Sequence, residues 1–263
     1  MLFRSGTTLI ELSNRLGQIA RMVQPGSVVA DIGTDHGQLM AYLAQNGIIR
    51  HGYACDINEK PLNKARQILA DHGLDDRVDC VLASGLDGLA PGSVDTVVIA
   101  GMGGDLTARI LDAAPWIREH RTRLLLQPMT KPDHLREYLC REGFRLELEN
   151  AVISGKFVYT VFSAVYDGVP RELSLLERYI GRVLDGDSAD TDRYLMRIRR
   201  NLLGRIAGID RSRSGDPVHR TEYETVVRML EMILEERGYH VDCLDDLWEA
   251  EFAGSLCNPG ELG

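Results

Sequence analysis

Charged side chains suited to ligand binding stand at the predicted ends of two β-strands. Asp31 lies at the end of the apolar stretch 27–32, and Asp56 closes a second apolar stretch 25 residues further along. The turn after the first stretch carries Gly33 and Asp35, where a dinucleotide fold would carry G-x-G-x-x-G for a pyrophosphate. Carboxylates repel a pyrophosphate and attract positive charge. The pattern therefore predicts a site for a cationic or zwitterionic nucleoside, whose ribose Asp56 would bind.

Further segments that follow predicted strands are candidates for the same site. A serine and a glycine follow the third strand. A glycine-rich segment follows the apolar stretch VDTVVIA, and we interpret it as a loop that leaves space for two reactants. A glutamine ends the next strand, where its amide is a candidate for contact with a target group. Each segment is also explained as an ordinary turn. The candidates are Ser84, Gly85, Gly101, Met102, Gly103 and Gln127.

Alternating strand and helix patterns place these candidates together. β-Branched stretches alternate with stretches of helical periodicity from residue 27 to residue 141, and two more strand patterns surround Ser154–Gly155. An amphipathic helix is predicted before them, over residues 9–23. This order predicts an α/β fold, a Rossmann-like doubly wound sheet. Ligands of such sheets bind beyond the carboxyl ends of the strands, where the candidates lie.

A change of pattern near residues 167–170 predicts a second unit. Beyond it, apolar residues recur at helical spacing, and polar connectors separate them at residues 185–190 and 210–219. The spacing predicts a small helical domain with coiled-coil-like packing. We therefore divide the chain into a Rossmann-like domain, residues 1–167, and a helical domain with an acidic C-terminal extension, residues 168–263.

The net charge of −9 conceals a basic segment. Residues 222–263 hold eleven acidic residues and two arginines, whereas residues 193–220 hold eight arginines and two aspartates. At about 3.6 residues per helical turn, Arg193, Arg197 and Arg200 share one helix face, a candidate for phosphate contacts. A solvated face with ion pairs inside the helix is the alternative. The scarcity of acids in this predicted helix favours RNA.

The composition excludes several classes of protein. No apolar run approaches the roughly 20 residues that span a bilayer. The N-terminal residues contain no signal-peptide core, and we expect a cytoplasmic protein. Five scattered cysteines without a C-x-x-C pair indicate reduced thiols and neither a zinc site nor a redox motif. No metal site is predicted, and the sequence leaves the oligomeric state open.

Six motifs in combination resemble one family. The stretch DIGTDHG, residues 31–37, has the spacing of the first motif of class I methyltransferases. LSNRL, ACDIN, IAGMGG, LLLQP and GKFVYT accompany it between residues 9 and 166. Together they resemble the TrmK-like bacterial tRNA (adenine(22)-N1)-methyltransferases. The resemblance implies S-adenosylmethionine as cofactor, tRNA as partner and methyl transfer to N1 of an adenine. Met129 departs from the family, which carries asparagine there.

The resemblance gives the candidates expected roles. Asp31 is expected to bind the ammonium of the cofactor's methionine moiety, Asp56 its ribose, and Ile57 one face of its adenine. Asp35 and Gln127 are the catalytic candidates, the first to stabilise the positive charge that N1 methylation creates and the second to face the target base. The remaining cofactor-binding candidates are Gly33, Ser84, Gly85, Gly101, Met102 and Gly103. The RNA-binding candidates are Arg15, Lys156, Arg193, Arg197 and Arg200.

Two other functions explain part of this pattern. A methyltransferase of a small molecule or a protein, or a non-catalytic cofactor-binding module, would carry the same cofactor motifs. The helical domain distinguishes these alternatives from a tRNA enzyme. Phe157 and Tyr159 are candidates to stack on an unstacked base or to pack in the sheet, and strand alternation places both on one face. His36 is a candidate base, although a lone histidine in a turn is more often structural.

Overall fold

The computed structural model describes residues 9–186, 188–211 and 217–252, and a seven-stranded sheet lies at its centre. In chain order the strands are β1 (Val28–Ile32), β2 (His51–Asp56), β3 (Val78–Leu82), β4 (Thr96–Gly103), β5 (Arg123–Thr130), β6 (Phe144–Ser154) and β7 (Phe157–Tyr166). Their order across the sheet is β3-β2-β1-β4-β5-β7-β6. The first five are parallel, and β7 runs antiparallel between β5 and β6. The Rossmann-like α/β fold is confirmed.

Helices cover both faces of the sheet. One face carries α1 (Asn14–Met22), α2 (Gln38–Gln45) and α3 (Glu59–His72). The other face carries α4 (Gly104–Asp112), α5 (Trp116–Glu119) and α6 (Pro132–Arg141). Within β4, Val97 and Ile99 enter the core under α4 to α6, and Val98 enters the core under α1 to α3. Both faces of the central strands are therefore buried, which explains their unbroken apolar sequences.

The first helix begins later than the sequence predicts. The Ser13 side chain accepts a hydrogen bond from the backbone N–H of Leu16 at 3.4 Å, so that Asn14 becomes the first helical residue. Leu9, which helical periodicity assigns to the apolar face, is 75% exposed. The predicted start at residue 9 was therefore wrong. The Ser13 side chain caps the N-terminus of the helix, whereas the apolar periodicity continues to earlier residues that are not helical.

The glycine-rich segment after VDTVVIA prolongs a strand and is not a loop. β4 continues through Gly103 with two register irregularities against β5, and α4 begins at the next residue. Gly101 has a φ of +84°, which favours glycine in this bulge. A Cβ on Gly104 would lie 2.3 Å from the carbonyl oxygen of Lys131. The prediction of a loop was wrong because pairing with β5 and close packing at Gly104 hold these glycines in place.

Four α-helices of the described chain follow the sheet and pack on it. They are α7 (Leu175–Ile180), α8 (Thr191–Arg211), α9 (Pro217–Glu236) and α10 (Leu244–Phe252). The ion pairs Arg199–Glu231 and Arg220–Asp210 show that α8 and α9 run antiparallel. Their shared core also contains Ala151 of β6, together with other sheet and helix residues. The division of the chain after residue 167 stays a prediction, since the two regions share apolar packing.

A buried arginine joins the helical region to the sheet. Arg136 of α6 and Glu149 of β6 have fully buried side chains, with 2.6 Å between Arg136 Nη2 and Glu149 Oε1. Arg136 Nη1 donates to the carbonyl oxygens of Arg178 and Tyr179, each at 3.0 Å. Arg136 Nη2 also donates to the hydroxyl oxygen of Tyr194 in α8 at 2.8 Å. One side chain thus satisfies acceptors from three elements.

The carboxylate partner is also saturated with hydrogen bonds. Glu149 accepts a hydrogen bond from the hydroxyl of Thr160 in β7 and another from the backbone N–H of Arg182, the latter at 2.9 Å. A Cβ on Gly181, where φ is +63°, would lie 1.8 Å from Glu149 Oε2. Glycine is therefore required where the chain passes this carboxylate. We call Arg136, Glu149 and these partners the Arg136–Glu149 network.

None of the described helices combines the length and the apolar character needed to cross a lipid bilayer.

Candidate active site

The two strand-end aspartates lie at one edge of the sheet. Asp31 is in register with Ala54, two residues before Asp56 on the neighbouring parallel strand. The backbone N–H groups of Gly33 and Thr34 donate to the carbonyl oxygen of Cys55 at 2.9 and 3.0 Å, so the turn after β1 wraps over the end of β2. Both carboxylates therefore lie at the carboxyl ends of neighbouring strands, where the sequence predicts a common ligand site.

Asp31 is a buried carboxylate without a salt-bridge partner among the described residues. It is only 5% exposed, and burial raises its pKa to about 6. The Thr34 hydroxyl and the guanidinium of Arg15 lower this pKa, and the carboxylates of Asp35 and Asp56 raise it. Among the described residues, no basic group lies within 4.0 Å of Asp31. Buried charges in proteins are normally paired, and a positively charged ligand group would supply the pairing here.

Gly33 connects the first turn to the end of β4. Its φ is +74°, and a Cβ there would lie 2.2 Å from the terminal methyl carbon of Met102. Glycine at this position therefore lets Met102 cross from β4 to the turn after β1. The contact brings two of the predicted motifs, DIGTDHG and IAGMGG, into one site.

Asp56 and Ile57 present a polar and an apolar group side by side. Asp56 Oδ1 accepts a hydrogen bond from the backbone N–H of Asn58 at 2.7 Å. Asn58 precedes α3, but its own side chain makes no capping hydrogen bond. Ile57 is 68% exposed beside this carboxylate. An exposed aliphatic side chain can pack against the base of a nucleoside, and a neighbouring carboxylate can accept hydrogen bonds from its ribose hydroxyls.

The segment after β3 borders the same cleft. The backbone N–H of Ala83 donates to the carbonyl oxygen of Asp56 at 3.0 Å, which places Ser84 and Gly85 beside the end of β2. Gly85 has a φ of +57°, and a Cβ there would lie 3.2 Å from Ile110 in α4. The structure thus brings both predicted residues to the site.

Gln127 is buried, and its amide is already engaged. Its side chain is 0% exposed, and its Oε1 accepts hydrogen bonds from Arg15 Nη1 at 2.7 Å and from the backbone N–H of Gly101 at 3.1 Å. Its Nε2 donates to the carbonyl oxygen of Pro128 at 3.1 Å. This arrangement differs from the expected contact with a target base. Gln127 instead holds Arg15 and Gly101 in position.

Arg15 lies inside the cleft and apart from the other predicted RNA-binding residues. Its guanidinium bonds to Gln127, lies 3.6 Å from the Cβ position of Gly101, and acts electrostatically on Asp31. No local pattern in the sequence indicates this contact, because Arg15 and Gln127 are 112 residues apart. Arg15 supplies a positive charge opposite the buried carboxylate, at the centre of the candidate site.

Asp35 and His36 form the exposed rim of the turn. The Asp35 side chain is mainly exposed, and its Oδ1 lies 3.6 Å from Nε2 of His36. The same nitrogen of His36 lies 3.2 Å from Nζ of Lys64 in α3. These contacts support the structural interpretation of His36. Asp35 is the exposed carboxylate of this rim, and its catalytic role stays a prediction.

The turn between β6 and β7 carries further predicted residues. Lys156 is exposed at this turn, and Asn14 Nδ2 of α1 donates to the carbonyl oxygen of Ile153 beside it at 3.1 Å. The rings of Phe157 and Tyr159 lie 6.0 Å apart, which confirms that they share a face. Tyr159 packs in the core, whereas Phe157 is exposed.

The α8 arginines are paired with acids from other helices. Arg199 lies 2.8 Å from Glu231 in α9 and 3.2 Å from Asp245 in α10. Arg200 lies 3.2 Å from Glu249, also in α10. The alternative of ion pairs inside the helix does not describe these contacts, because the acids come from α9 and from α10 in the acidic C-terminal extension. RNA binding by Arg200 stays a prediction. Residues 253–263 of this extension lie outside the described residues.

Arg193 and Arg197 occupy the same face of α8. Both are half-buried, and the guanidinium carbon of Arg197 lies 5.6 Å from the ring centroid of Tyr159. The face therefore begins at the sheet, beside the carboxyl end of β5, and continues along α8 toward α10. Within the part of the chain that the structure describes, no group of three or more His, Cys, Asp or Glu residues is arranged to hold a metal ion.

Comparison with known proteins agrees with this geometry. A model of the methyltransferase domain family matches residues 12–162, more than half of the chain. The tRNA (adenine(22)-N(1))-methyltransferase of Bacillus subtilis is 32% identical over 174 residues, which cover 64% of this chain and 73% of that protein. The chain belongs to the tRNA (adenine(22)-N(1))-methyltransferase family.

Solved structures of this family share the fold. The crystal structure of the B. subtilis m1A22 tRNA methyltransferase TrmK has a TM-score of 0.71 and 26% identity, and the match covers 86% of this chain and 98% of that one. A putative tRNA (m1A22) methyltransferase of Streptococcus pneumoniae, solved in complex with S-adenosyl-L-methionine, has a TM-score of 0.72 and 25% identity. That match covers 85% of this chain and all of the other, so the similarity extends into the helical region.

Proposed function

We propose that this chain transfers a methyl group from S-adenosyl-L-methionine to N1 of an adenine in tRNA, at position 22. The observation that carries the proposal is the buried carboxylate of Asp31. It lies at the same edge of the sheet as Asp56, Arg15 and the glycine-rich end of β4, in a chain of the m1A22 methyltransferase family. Since tRNA is the substrate, the proposal also places the protein in the cytoplasm.

The described side chains fit this cofactor in charge and shape. Asp31 would hold the ammonium of the methionine moiety, and Arg15 would hold its carboxylate. Asp56 would accept hydrogen bonds from the ribose hydroxyls, and the exposed Ile57 would cover the adenine ring. Met102 and the neighbouring glycines would border the reacting groups. Bound in this way, S-adenosyl-L-methionine supplies a methyl group carried on a positively charged sulfur.

The chain's contribution to the reaction is mainly positional. Adenine N1 is a neutral nucleophile and needs no general base, so catalysis depends on aligning it in a site with little water. Because N1 lies on the Watson–Crick edge, the target adenine must leave its stack. The methylated base is cationic, and the Asp35 carboxylate at the rim would stabilise this charge. Gln127 would act by holding Arg15 and Gly101.

Methylation of unmodified tRNA tests the proposal directly. Purified protein, isotope-labelled S-adenosyl-L-methionine and a full-length tRNA transcript are incubated, and the nucleosides are analysed by mass spectrometry. We expect labelled 1-methyladenosine, which partial digestion maps to position 22. A transcript with guanosine at position 22 is the matched control. Binding of the cofactor without transfer to tRNA would favour a non-catalytic module, and transfer only to a small molecule or protein would favour that class of enzyme.

Cofactor affinity should depend on pH through Asp31. The pKa of about 6 means that this carboxyl is ionised above that pH and neutral below it. The neutral form cannot pair with an ammonium, so affinity is expected to fall up to about tenfold per pH unit as the pH drops below this pKa. A cationic ligand favours the ionised form, so binding near this pKa releases a proton.

Calorimetry in buffers of different ionisation enthalpy measures both the affinity and the proton release. Asp31→Asn is the matched variant, since it keeps the size of the side chain and cannot ionise. It should bind more weakly at neutral pH and lose the pH dependence below neutrality. Equal pH profiles of the two proteins would contradict the role of Asp31.

The arginine face of α8 should contribute to tRNA affinity. Arg197→Glu combined with Arg200→Glu replaces two positive charges near phosphates by negative ones. We expect weaker tRNA binding and a flatter dependence of affinity on salt, because fewer phosphates are neutralised. Arg50→Glu combined with Arg121→Glu is the control, because these exposed arginines precede β2 and β5 at the opposite edge of the sheet. If both double variants have the salt slope of the wild type, α8 is not an RNA surface.

A further inference from the structure

A cavity lies between the sheet and the helical region. Its volume is about 260 Å³, and it opens between the carboxyl end of β5 and the face of α8. Small-molecule pockets usually measure roughly 300–1,000 Å³, so this cavity suits one flat group and not a whole cofactor. Its lining includes Pro128, Met129, Asp133, Tyr159, Arg197 and Asn201.

A buried carboxylate with an unpartnered oxygen lies in the wall of this cavity. Asp133, at the start of α6, is 6% exposed. Its Oδ2 lies 3.5 Å from Nη1 of Arg205, whereas its Oδ1 is buried and has no hydrogen-bond partner among the described residues. Buried polar atoms in proteins almost always have a partner. A ligand that donates a hydrogen bond would supply one.

A flat cationic surface forms another wall. The guanidinium of Arg197 lies 5.6 Å from the centroid of the Tyr159 ring, and both residues line the cavity. Guanidinium planes and aromatic rings are the surfaces on which proteins stack unpaired bases of RNA. Arg205 adds positive charge and Met129 adds a polarisable apolar contact. The lining thus combines a stacking surface, positive charge and a hydrogen-bond acceptor.

The cavity is next to the candidate active site but separate from it. Pro128 and Met129 line the cavity and directly follow Gln127, whose amide oxygen binds Gly101 and Arg15 on the other side. The buried Gln127 side chain therefore stands between the cavity and the cleft. An adenine whose N1 reaches Arg15 and the glycine-rich end of β4 would lie on the cleft side of Gln127, and the cavity would be left for a neighbouring nucleotide of the same RNA strand.

We propose that this cavity binds an unpaired nucleotide adjacent to the target adenine and recognises its exocyclic amino group through the carboxylate of Asp133. The inference rests on the proposed tRNA methylation. Adenine, cytosine and guanine carry such an amino group, and uracil carries a carbonyl oxygen that a carboxylate repels. The cavity therefore selects for an amino-bearing base at one position beside the target, with Arg197 stacked against the ring.

A panel of tRNA transcripts tests this selectivity. Each nucleotide that flanks the methylated adenine is replaced by all four bases, and single-turnover methylation rates are measured. For wild-type protein we expect uracil at one flanking position to lower the rate by on the order of tenfold. Asp133→Ala should lower the rates of the amino-bearing transcripts to the uracil level and so abolish the difference. Any effect of the replacements on tRNA folding would persist in the variant.

Two further variants complete the test. Glu137→Ala removes an exposed carboxylate one turn further along α6, outside the cavity, and should retain the base preference. Asn201→Phe fills the cavity from an exposed position of α8 and should lower tRNA methylation by at least about tenfold while cofactor binding stays unchanged. This variant remains informative if Asp133→Ala does not fold.

The outcomes separate this inference from the function on which it rests. If wild-type protein methylates no tRNA, the proposed function fails. If it methylates all flanking-base transcripts equally, or if Asn201→Phe methylates them at the wild-type rate, the function stands and the cavity is not a nucleotide site. Loss of preference in Asp133→Ala together with retention in Glu137→Ala supports the inference.

Discussion

Glu149→Ala is expected to lower the free energy of unfolding by on the order of 3–5 kcal/mol. The substitution leaves the fully buried guanidinium of Arg136 without its anion. It also removes the acceptor for the hydroxyl of Thr160 and for the backbone N–H of Arg182. An uncompensated buried charge is among the largest single destabilising effects in proteins. Urea denaturation monitored by circular dichroism measures the change.

A double-mutant cycle separates the charge effect from lost packing. Arg136→Met combined with Glu149→Leu replaces both charges by apolar side chains and should cost less than Glu149→Ala alone, because no buried charge remains. Glu59→Ala breaks the exposed ion pair with Arg66 and serves as the control, with an expected cost below about 1 kcal/mol. Equal costs for Glu149→Ala and Glu59→Ala would contradict the importance of the Arg136–Glu149 network.

Asp56→Ala is expected to weaken the binding of S-adenosyl-L-methionine by ~1–3 kcal/mol. Under the proposed function the carboxylate accepts hydrogen bonds from two ribose hydroxyls, and alanine offers no acceptor. The effect on folding should be small, because the one hydrogen bond of the Asp56 side chain within the described part of the chain is with the backbone N–H of Asn58. Titration calorimetry at neutral pH measures the affinity.

Two variants make this measurement specific. Asp71→Ala removes an exposed carboxylate on α3, away from the cleft, and should leave the affinity unchanged. Asp56→Asn keeps one oxygen acceptor and should lose less affinity than Asp56→Ala. If Asp56→Ala binds as tightly as Asp71→Ala, Asp56 does not hold the ribose.

The positions of Asp31 and Asp56 follow from local sequence. Each lies at the end of an apolar stretch before a turn, and parallel strands bring such ends to one edge of the sheet. Neither inference needs a long-range contact, and both are accurate in the structure. The same reasoning predicted most strands and helices correctly, because hydrophobic periodicity is a local property.

The features that the sequence did not reveal all depend on distant contacts. Arg15 reaches Gln127 from a helix near the start of the chain, and no local pattern couples them. The glycine-rich sequence at the end of β4 is typical of a loop, and only its pairing with β5 makes it part of the strand. Asp133 looks like an ordinary residue in the first turn of a helix, and only the cavity beneath α8 gives its carboxylate another role. Tertiary packing decides such roles, and periodicity carries no information about it.

The contact of α10 with α8 has a consequence for the thermodynamics of RNA association. Glu249 and Asp245 already neutralise Arg200 and Arg199 from within the chain. A phosphate that binds Arg200 displaces the carboxylate of Glu249, which belongs to the same chain. Unlike a salt ion, this carboxylate is not released into the solution when the phosphate binds. The number of ions released, read from the slope of log affinity against log salt, is then smaller than the number of arginine–phosphate contacts. The acidic helix thus makes association less sensitive to ionic strength than the arginine content of α8 implies.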